Sequence, residues 1–161
     1  MQIIKKRRIV EDDWHHVEDG AELPEGKVIV SLSRWQSDRE TLIGRRNSGL
    51  GIRLASNEHA DDIAPDLEHF ELVALNFPTF RDGRAYTTAR LLRERHGYQG
   101  ELRATGDVLR DQIFFMHRCG FDAFEVRADR SIDEALKAFD DFSVTYQPAA
   151  DEKQPLWRRR G

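Results

Sequence analysis

Five short apolar segments recur along the chain, and their starts lie about 22 to 29 residues apart. This interval fits a strand followed by a helix, whereas hairpins would bring the strands closer together. Repeated βα units favour a mainly parallel sheet with right-handed crossovers. The sequence therefore predicts the α/β class, either as an open sheet or as an incomplete, half TIM-like barrel. The predicted strands are Val28–Leu32, Leu50–Leu54, Leu72–Asn76, Glu101–Thr105 and Ala123–Arg127.

Helical patterns with start and stop signals fill the intervals between these strands. One pattern stops at Gly97 and another at Gly120, since glycine commonly ends a helix. Asp107 is the predicted N-cap of the second pattern. Ser131 with Glu134 predicts a capping box for the last helix.

A chain of 161 residues favours one domain, which we place at residues 1–147. Residues 148–161 are rich in polar residues and predict a disordered tail. Docking of Trp157 on a partner is the alternative for that tail. Residues 144–146 could add an edge strand.

The bulk composition limits the partners and the compartment. A net charge of −4 gives no support for a binder of nucleic acid or of acidic membranes. The sequence contains no apolar run long enough to cross a bilayer and no secretory signal, so we expect a cytoplasmic protein. The single cysteine, Cys119, cannot form an intramolecular disulfide, a cysteine-ligated cluster or a structural zinc site. We therefore predict no metal site, and no sequence motif identifies a cofactor.

The strongest local signal for a ligand is the segment NFPTFRDGRAY, residues 76–86. Arg81 and Arg84 flank Gly83 at the start of a predicted helix, where free N–H groups and guanidinium groups favour an anion. The alternative is that Asp82 caps this helix and pairs with one of the arginines.

Charged residues also interrupt the predicted buried strands, which are usually continuous apolar runs. They are Arg53, Arg103, Glu125 and Arg127. By alternation, Arg103 and Thr105 share one face of a strand, and Glu125 and Arg127 share one face of the next. Pairing of Arg103 with Glu125 across the strands is one interpretation, and a face that lines a ligand or a partner is the other.

The helix after residue 107 has two residues in unusual positions. Gln112 lies within its apolar stripe, so it either bonds a neighbouring carbonyl or points into a site beside Asp107. Phe114 lies on the charged side, where it predicts an exposed interface anchor.

The neighbours of these positions complete the sequence-based expectations. His117 and Arg118 surround Phe114 in the predicted interface. Cys119 lies on the apolar stripe and is interpreted as a core residue. His15 and His16 are interpreted as surface residues.

The segments DGRAY, ELRATGDVLRDQ and CGFDAFE resemble an uncharacterised bacterial family, and the likeness extends over roughly residues 27–146. Members of that family accompany sulfite reductase in sulfur-assimilation operons and are labelled probable oxidoreductases of sulfite reduction. The resemblance implies an accessory protein that binds the sulfite reductase hemoprotein or its electron donor. The alternative is an enzyme that binds a small oxyanion at arginine-rich strand ends. The sequence leaves open whether the protein forms a homo-oligomer.

Overall fold

The computed structural model describes residues 1–45, 48–79 and 81–141. Its eight strands form one sheet in the order β2-β1-β8-β7-β6-β5-β4-β3, and the strands from β3 to β8 are parallel. The strands are β1 Gln2–Lys5, β2 Arg8–Glu11, β3 Trp14–His16, β4 Lys27–Ser31, β5 Leu50–Leu54, β6 Leu72–Phe77, β7 Glu101–Gly106 and β8 Ala123–Phe124. The predicted parallel α/β fold is confirmed.

The N-terminal segment supplies both edges of the sheet. Lys6 and Arg7 adopt positive φ in the two-residue turn between β1 and β2, as expected for a tight hairpin. Strand β1 then pairs antiparallel with β8, while β3 pairs with β4 at the opposite edge. Only residues 12–13 join the edge strands β2 and β3. Because two residues must connect the two ends of the strand order, the sheet curls into a half-barrel.

Helices cover the outer face of this half-barrel and bury its main apolar core. The core joins strand residues such as Val30, Ile52 and Val73 to helix residues such as Trp35 and Leu92. The helices are α1 Leu32–Ser37, α2 Arg39–Ile43, α3 Arg84–Arg90 with a π-helical extension Leu91–Arg95, α4 Arg110–Arg118, α5 Ile132–Leu136 and α6 Ala138–Asp141; two 3₁₀ turns, Ala60–Asp62 and Ala64–His69, follow β5.

The inner face of the sheet is narrow and partly polar. A small apolar cluster of Ile29, Leu72 and Ala74 lies there, with Trp14 packed against it. Ala74 pairs in register with Arg53 on one side and with Arg103 on the other. Both arginines therefore lie on the inner face, and the small Ala74 between them leaves room for their side chains.

Three expectations from the sequence are wrong. Strand β8 ends at Phe124, so Glu125 and Arg127 do not share a strand face. Helix α4 begins at Arg110 with Leu109 as its N-cap, because Asp107 is still in the turn that follows β7. Phe114 is buried, since α5 and α6 pack against α4.

The predicted edge strand at residues 144–146 and the predicted tail at 148–161, with Trp157, lie outside the described residues. Within the described ranges, no helix is both long enough and apolar enough to cross a membrane.

Candidate functional site

A cavity of about 480 Å³ opens at the carboxyl ends of the parallel strands. In parallel α/β folds, ligands bind at this end of the sheet, where loops from several strands converge. We call this cavity the mouth of the half-barrel. Its lining residues are His16, Glu18, Ser31, Arg53, Leu54, Ala55, Glu58, Asn76 and Thr105.

Arg53 provides the positive charge of the mouth. Its two terminal nitrogens donate to the backbone oxygens of Ile29 at 3.0 Å and of Val17 at 2.8 Å. No carboxylate of the described residues lies within ion-pair distance of this guanidinium. A guanidinium carries five N–H donors, so these two bonds leave part of its hydrogen-bonding capacity for a ligand.

Two glutamates bring negative charge to the same cavity. Glu58 accepts a hydrogen bond from the backbone N–H of Ala55 at 2.7 Å through Oε1, and Oε2 accepts none from a described residue. Glu18 is exposed and follows Val17 directly. The charge of the mouth is therefore mixed, and an anion placed there would need direct contact with Arg53.

Beneath the mouth lies a buried charge network centred on Arg103. Its guanidinium donates to Asp12 at 2.8 and 3.1 Å, to Glu101 at 2.8 Å and to Glu125 at 3.0 Å. Lys5 adds a second cation at 2.8 Å from Glu101. Burial alone would lower the pKa of Arg103, but these carboxylates outweigh it and raise the pKa. Arg103 is therefore a charged structural centre that ties β7 to the link between β2 and β3.

His16 connects this network to the mouth. Its Nε2 lies 2.8 Å from Oε2 of Glu125, which Arg103 also contacts. Burial raises the pKa of the Glu125 carboxyl, but the bonds from His16 and Arg103 prevail and the pKa is lowered. An ionised carboxylate can only accept hydrogen bonds, so Nε2 of His16 donates the hydrogen bond to Glu125.

A second cavity of about 460 Å³ adjoins the mouth through Asn76, which lines both. Its lining also includes Gly106, Asp107 and Arg127. Gly106 has φ of +89°, and a Cβ at this position would come within 2.4 Å of the Phe77 carbonyl oxygen. Only glycine therefore fits this turn beside the second cavity.

Two of the arginines nominated from the sequence, Arg84 and Arg127, are held by neighbouring carboxylates. Arg84 donates to Asp82 at 3.0 and 2.6 Å and to Ser56 at 2.8 Å, and Asp82 also accepts from the backbone N–H of Arg84. The guanidinium of Arg84 lowers the pKa of Asp82. This is the alternative considered above, in which Asp82 pairs with an arginine.

Arg127, which lines the second cavity, is held in the same way. It donates to Asp107 at 2.7 Å and to Asp129 at 2.9 and 2.7 Å. Arg81 and Gly83 are exposed in the turn before α3. Of the nominated anion-binding residues, only Thr105 lines the mouth directly, and Glu125 contacts it through His16.

Gln112 is half-buried on α4, and its Oε1 is enclosed without a donor among the described residues. It is not among the residues that line the mouth. The predicted bond to a neighbouring carbonyl would be donated by the amide nitrogen Nε2, and no such bond is formed within the described part of the chain. We have no physical account of this orphaned oxygen.

The predicted interface around Phe114 is largely covered. His117 stacks edge-on against Phe139, with ring centres 5.5 Å apart, and Arg7 lies within 3.1 Å of its Nε2. Arg118 is half-buried. The exposed aromatic of α4 is instead Phe115, which is 49% exposed and packs edge-on against Tyr86.

Sequence reasoning missed His16, Ser31 and Glu58 as members of the mouth. Ser31 is the last residue of β4 and Glu58 lies in the turn after β5, so the rule that sites form at strand ends could have found them. His16 could not be found this way, because β3 gives no apolar pattern and its pairing with β4 depends on the whole N-terminal path. Among the described residues, no group of three acidic, histidine or cysteine side chains could hold a metal ion.

The fold and the mouth define a half-barrel α/β protein with a polar cavity at the carboxyl ends of its parallel strands. The chain belongs to a family described as bacterial proteins of unknown function, DUF934, whose model matches residues 51–157. Arg53, Asn76, Thr105 and Glu125 lie inside the matched segment, while His16 precedes it. No curated protein and no solved structure matches the chain.

Proposed function

We propose that this chain binds a small anion at the mouth of the half-barrel, and that it does so in assimilatory sulfite reduction. The observation that carries the binding proposal is Arg53, a half-buried cation that lines the cavity and has no carboxylate of a described residue within ion-pair distance. The assignment to sulfite reduction rests on the resemblance of DGRAY, ELRATGDVLRDQ and CGFDAFE to the family that accompanies sulfite reductase.

The contacts of Arg53 explain why an anion would be favoured there. Carbonyl dipoles compensate its charge only in part, and burial makes an incompletely compensated charge costly. Hydrogen bonds that involve a charged group contribute about 1.5 to 3 kcal/mol each. An anion at Arg53 would therefore gain binding free energy that Arg84 and Arg127 cannot supply, because carboxylates already occupy those two guanidinium groups.

Calorimetric titration with sulfite, sulfate and phosphate tests this proposal. We expect at least one anion to bind the wild-type protein, and Arg53→Gln to weaken its affinity about 10- to 100-fold, from the loss of a charge-assisted hydrogen bond. Arg84→Gln is the matched control, since it removes a guanidinium that is already paired. A loss of affinity that follows Arg84 instead of Arg53 would contradict the proposal, and so would the absence of binding both by these anions and by small organic acids.

A second candidate function is the accessory role that the resemblance implies, namely binding of the sulfite reductase hemoprotein or of its electron donor. The specific observation in its favour is the exposed Phe115, which packs against the half-buried Tyr86, because aromatic side chains often anchor protein interfaces.

Co-purification with the hemoprotein and, separately, with its electron donor tests this role. We expect Phe115→Ala to reduce retention at micromolar protein, while Thr87→Ala, a change at an exposed residue of α3, leaves it unaltered. Equal retention of both variants, or no association of the wild-type protein with either partner, would exclude a docking surface at Phe115.

A further inference from the structure

We propose that the ligand of the mouth is a small organic acid that also carries a hydroxyl or amino group, and not a bare inorganic oxyanion. This inference rests on the proposed function, since it names the class of anion bound at Arg53. Three features carry it: the volume of the cavity, its mixed charge and a second cavity that shares Asn76 with it.

The volume exceeds what an inorganic oxyanion can fill. The mouth measures about 480 Å³ and adjoins a second cavity of about 460 Å³ at Asn76. Pockets that hold organic ligands span about 300–1,000 Å³. An ion of four or five atoms would contact Arg53 and leave most of this space to water, whereas an organic acid can extend from Arg53 towards Gly106.

The negative charges in the lining favour a ligand that carries hydrogen-bond donors in addition to its anionic group. Glu18 and Glu58 line the mouth together with Arg53. A bare oxyanion in the mouth would be attracted by the single guanidinium of Arg53 and repelled by the carboxylates of Glu18 and Glu58. A ligand with a carboxylate at one end and a hydroxyl or amino group nearby would satisfy Arg53 and also donate to a glutamate.

Glu58 is the better placed of the two acceptors. Its Oε1 is fixed by the Ala55 N–H, which orients the carboxylate, and Oε2 accepts no bond from a described residue. Asn76 and Thr105 add neutral polar groups on the neighbouring strands, where they pair in register. A site with fixed acceptors discriminates strongly against an analogue that lacks the matching donor.

Titration with ligand pairs that differ by a single hydroxyl tests the inference. The pairs are acetate with glycolate and succinate with malate, and sulfite serves as the inorganic reference. We expect each hydroxyl to strengthen binding to the wild-type protein about tenfold or more, from a hydrogen bond to a charged acceptor. We also expect glycolate, which carries one carboxylate and one hydroxyl, to bind more tightly than sulfite.

Two variants assign this preference to the glutamates. Glu58→Gln keeps an oxygen for the Ala55 N–H but removes the charge, and Glu18→Ala changes an exposed side chain without a described partner. We expect the hydroxyl preference to fall at least threefold in one of them, while Glu68→Gln, at an exposed residue of the second 3₁₀ turn, preserves it.

The possible results separate the two proposals. If sulfite binds and the hydroxyl acids bind no more tightly than their partners, the organic-acid inference is overturned while anion binding at Arg53 stands. A hydroxyl preference that persists in both glutamate variants overturns the inference as well. If no anion of either kind binds, both proposals fail.

Discussion

Replacement of Asp12 by alanine should destabilise the protein strongly, although Asp12 lies in a two-residue link outside the strands. Its carboxylate is 5% exposed and makes two of the four hydrogen bonds of Arg103, which is 1% exposed. It also accepts a bond from the backbone N–H of Trp14. The link therefore depends on this carboxylate to hold β3 against the rest of the half-barrel.

The contacts set the size of the effect. Breaking a buried ion pair by removal of one partner costs about 3 to 5 kcal/mol. Because Arg103 keeps Glu101 and Glu125, the guanidinium stays compensated, and we expect the lower value, about 3 kcal/mol. For a chain of this length that corresponds to a fall in Tm of about 6 to 12 °C.

Urea unfolding at neutral pH, followed by circular dichroism, measures this change. Asp13→Ala is the matched control, because the adjacent carboxylate is 71% exposed and pairs with Lys27 at the surface. We expect the control to change the free energy of unfolding by no more than about 0.5 kcal/mol. A loss below about 1 kcal/mol for Asp12→Ala, or equal losses for both variants, would refute the argument that Asp12 anchors the link.

Three further predictions concern charge, backbone conformation and packing. Folding lowers the pKa of Glu125, so the stability that this carboxylate contributes is present above its ordinary pKa of 4.5 and is lost as the pH falls through the lowered pKa. The free energy of unfolding should therefore depend less on pH across this acid range in Glu125→Gln than in the wild-type protein. Gly106→Ala should cost more than about 1 to 2 kcal/mol in urea unfolding, because left-handed strain adds to the clash with the Phe77 oxygen. Phe114→Ala should lower the free energy of unfolding by about 3 to 5 kcal/mol, whereas Phe115→Ala should lower it by no more than about 1.5 kcal/mol. Similar losses in the two variants would contradict the finding that Phe114 is buried and Phe115 is not.

The regular strands and helices could be predicted because their signals are local. The five apolar segments correspond to β4 to β8, and Ser131 caps α5 through a bond to the Glu134 N–H. The prediction of Asp107 as a helix cap was wrong because it depended on where the preceding turn ends. Asp107 has the right residue type for a cap, but the Gly106 turn displaces the helix start by two residues.

The site was harder to predict because it depends on contacts between distant segments. Arg53 and Arg103 could be recognised as unusual charges in buried strands, yet the sequence could not tell which of them has carboxylates nearby. Asp12 reaches Arg103 across 91 positions, and His16 reaches Glu125 across 109. Local patterns contain no information on such pairs. The sequence therefore favoured Arg81 and Arg84, whose helix-start setting is visible locally.

A crystal structure of the protein with bound selenate tests the central claim most directly, since the anomalous signal of selenium locates the anion without ambiguity. Binding at Arg53 predicts a selenium peak within hydrogen-bonding reach of its guanidinium, in the mouth lined by Asn76 and Thr105. Peaks only at Arg84 or Arg127, or a mouth filled by water alone at saturating selenate, would contradict it.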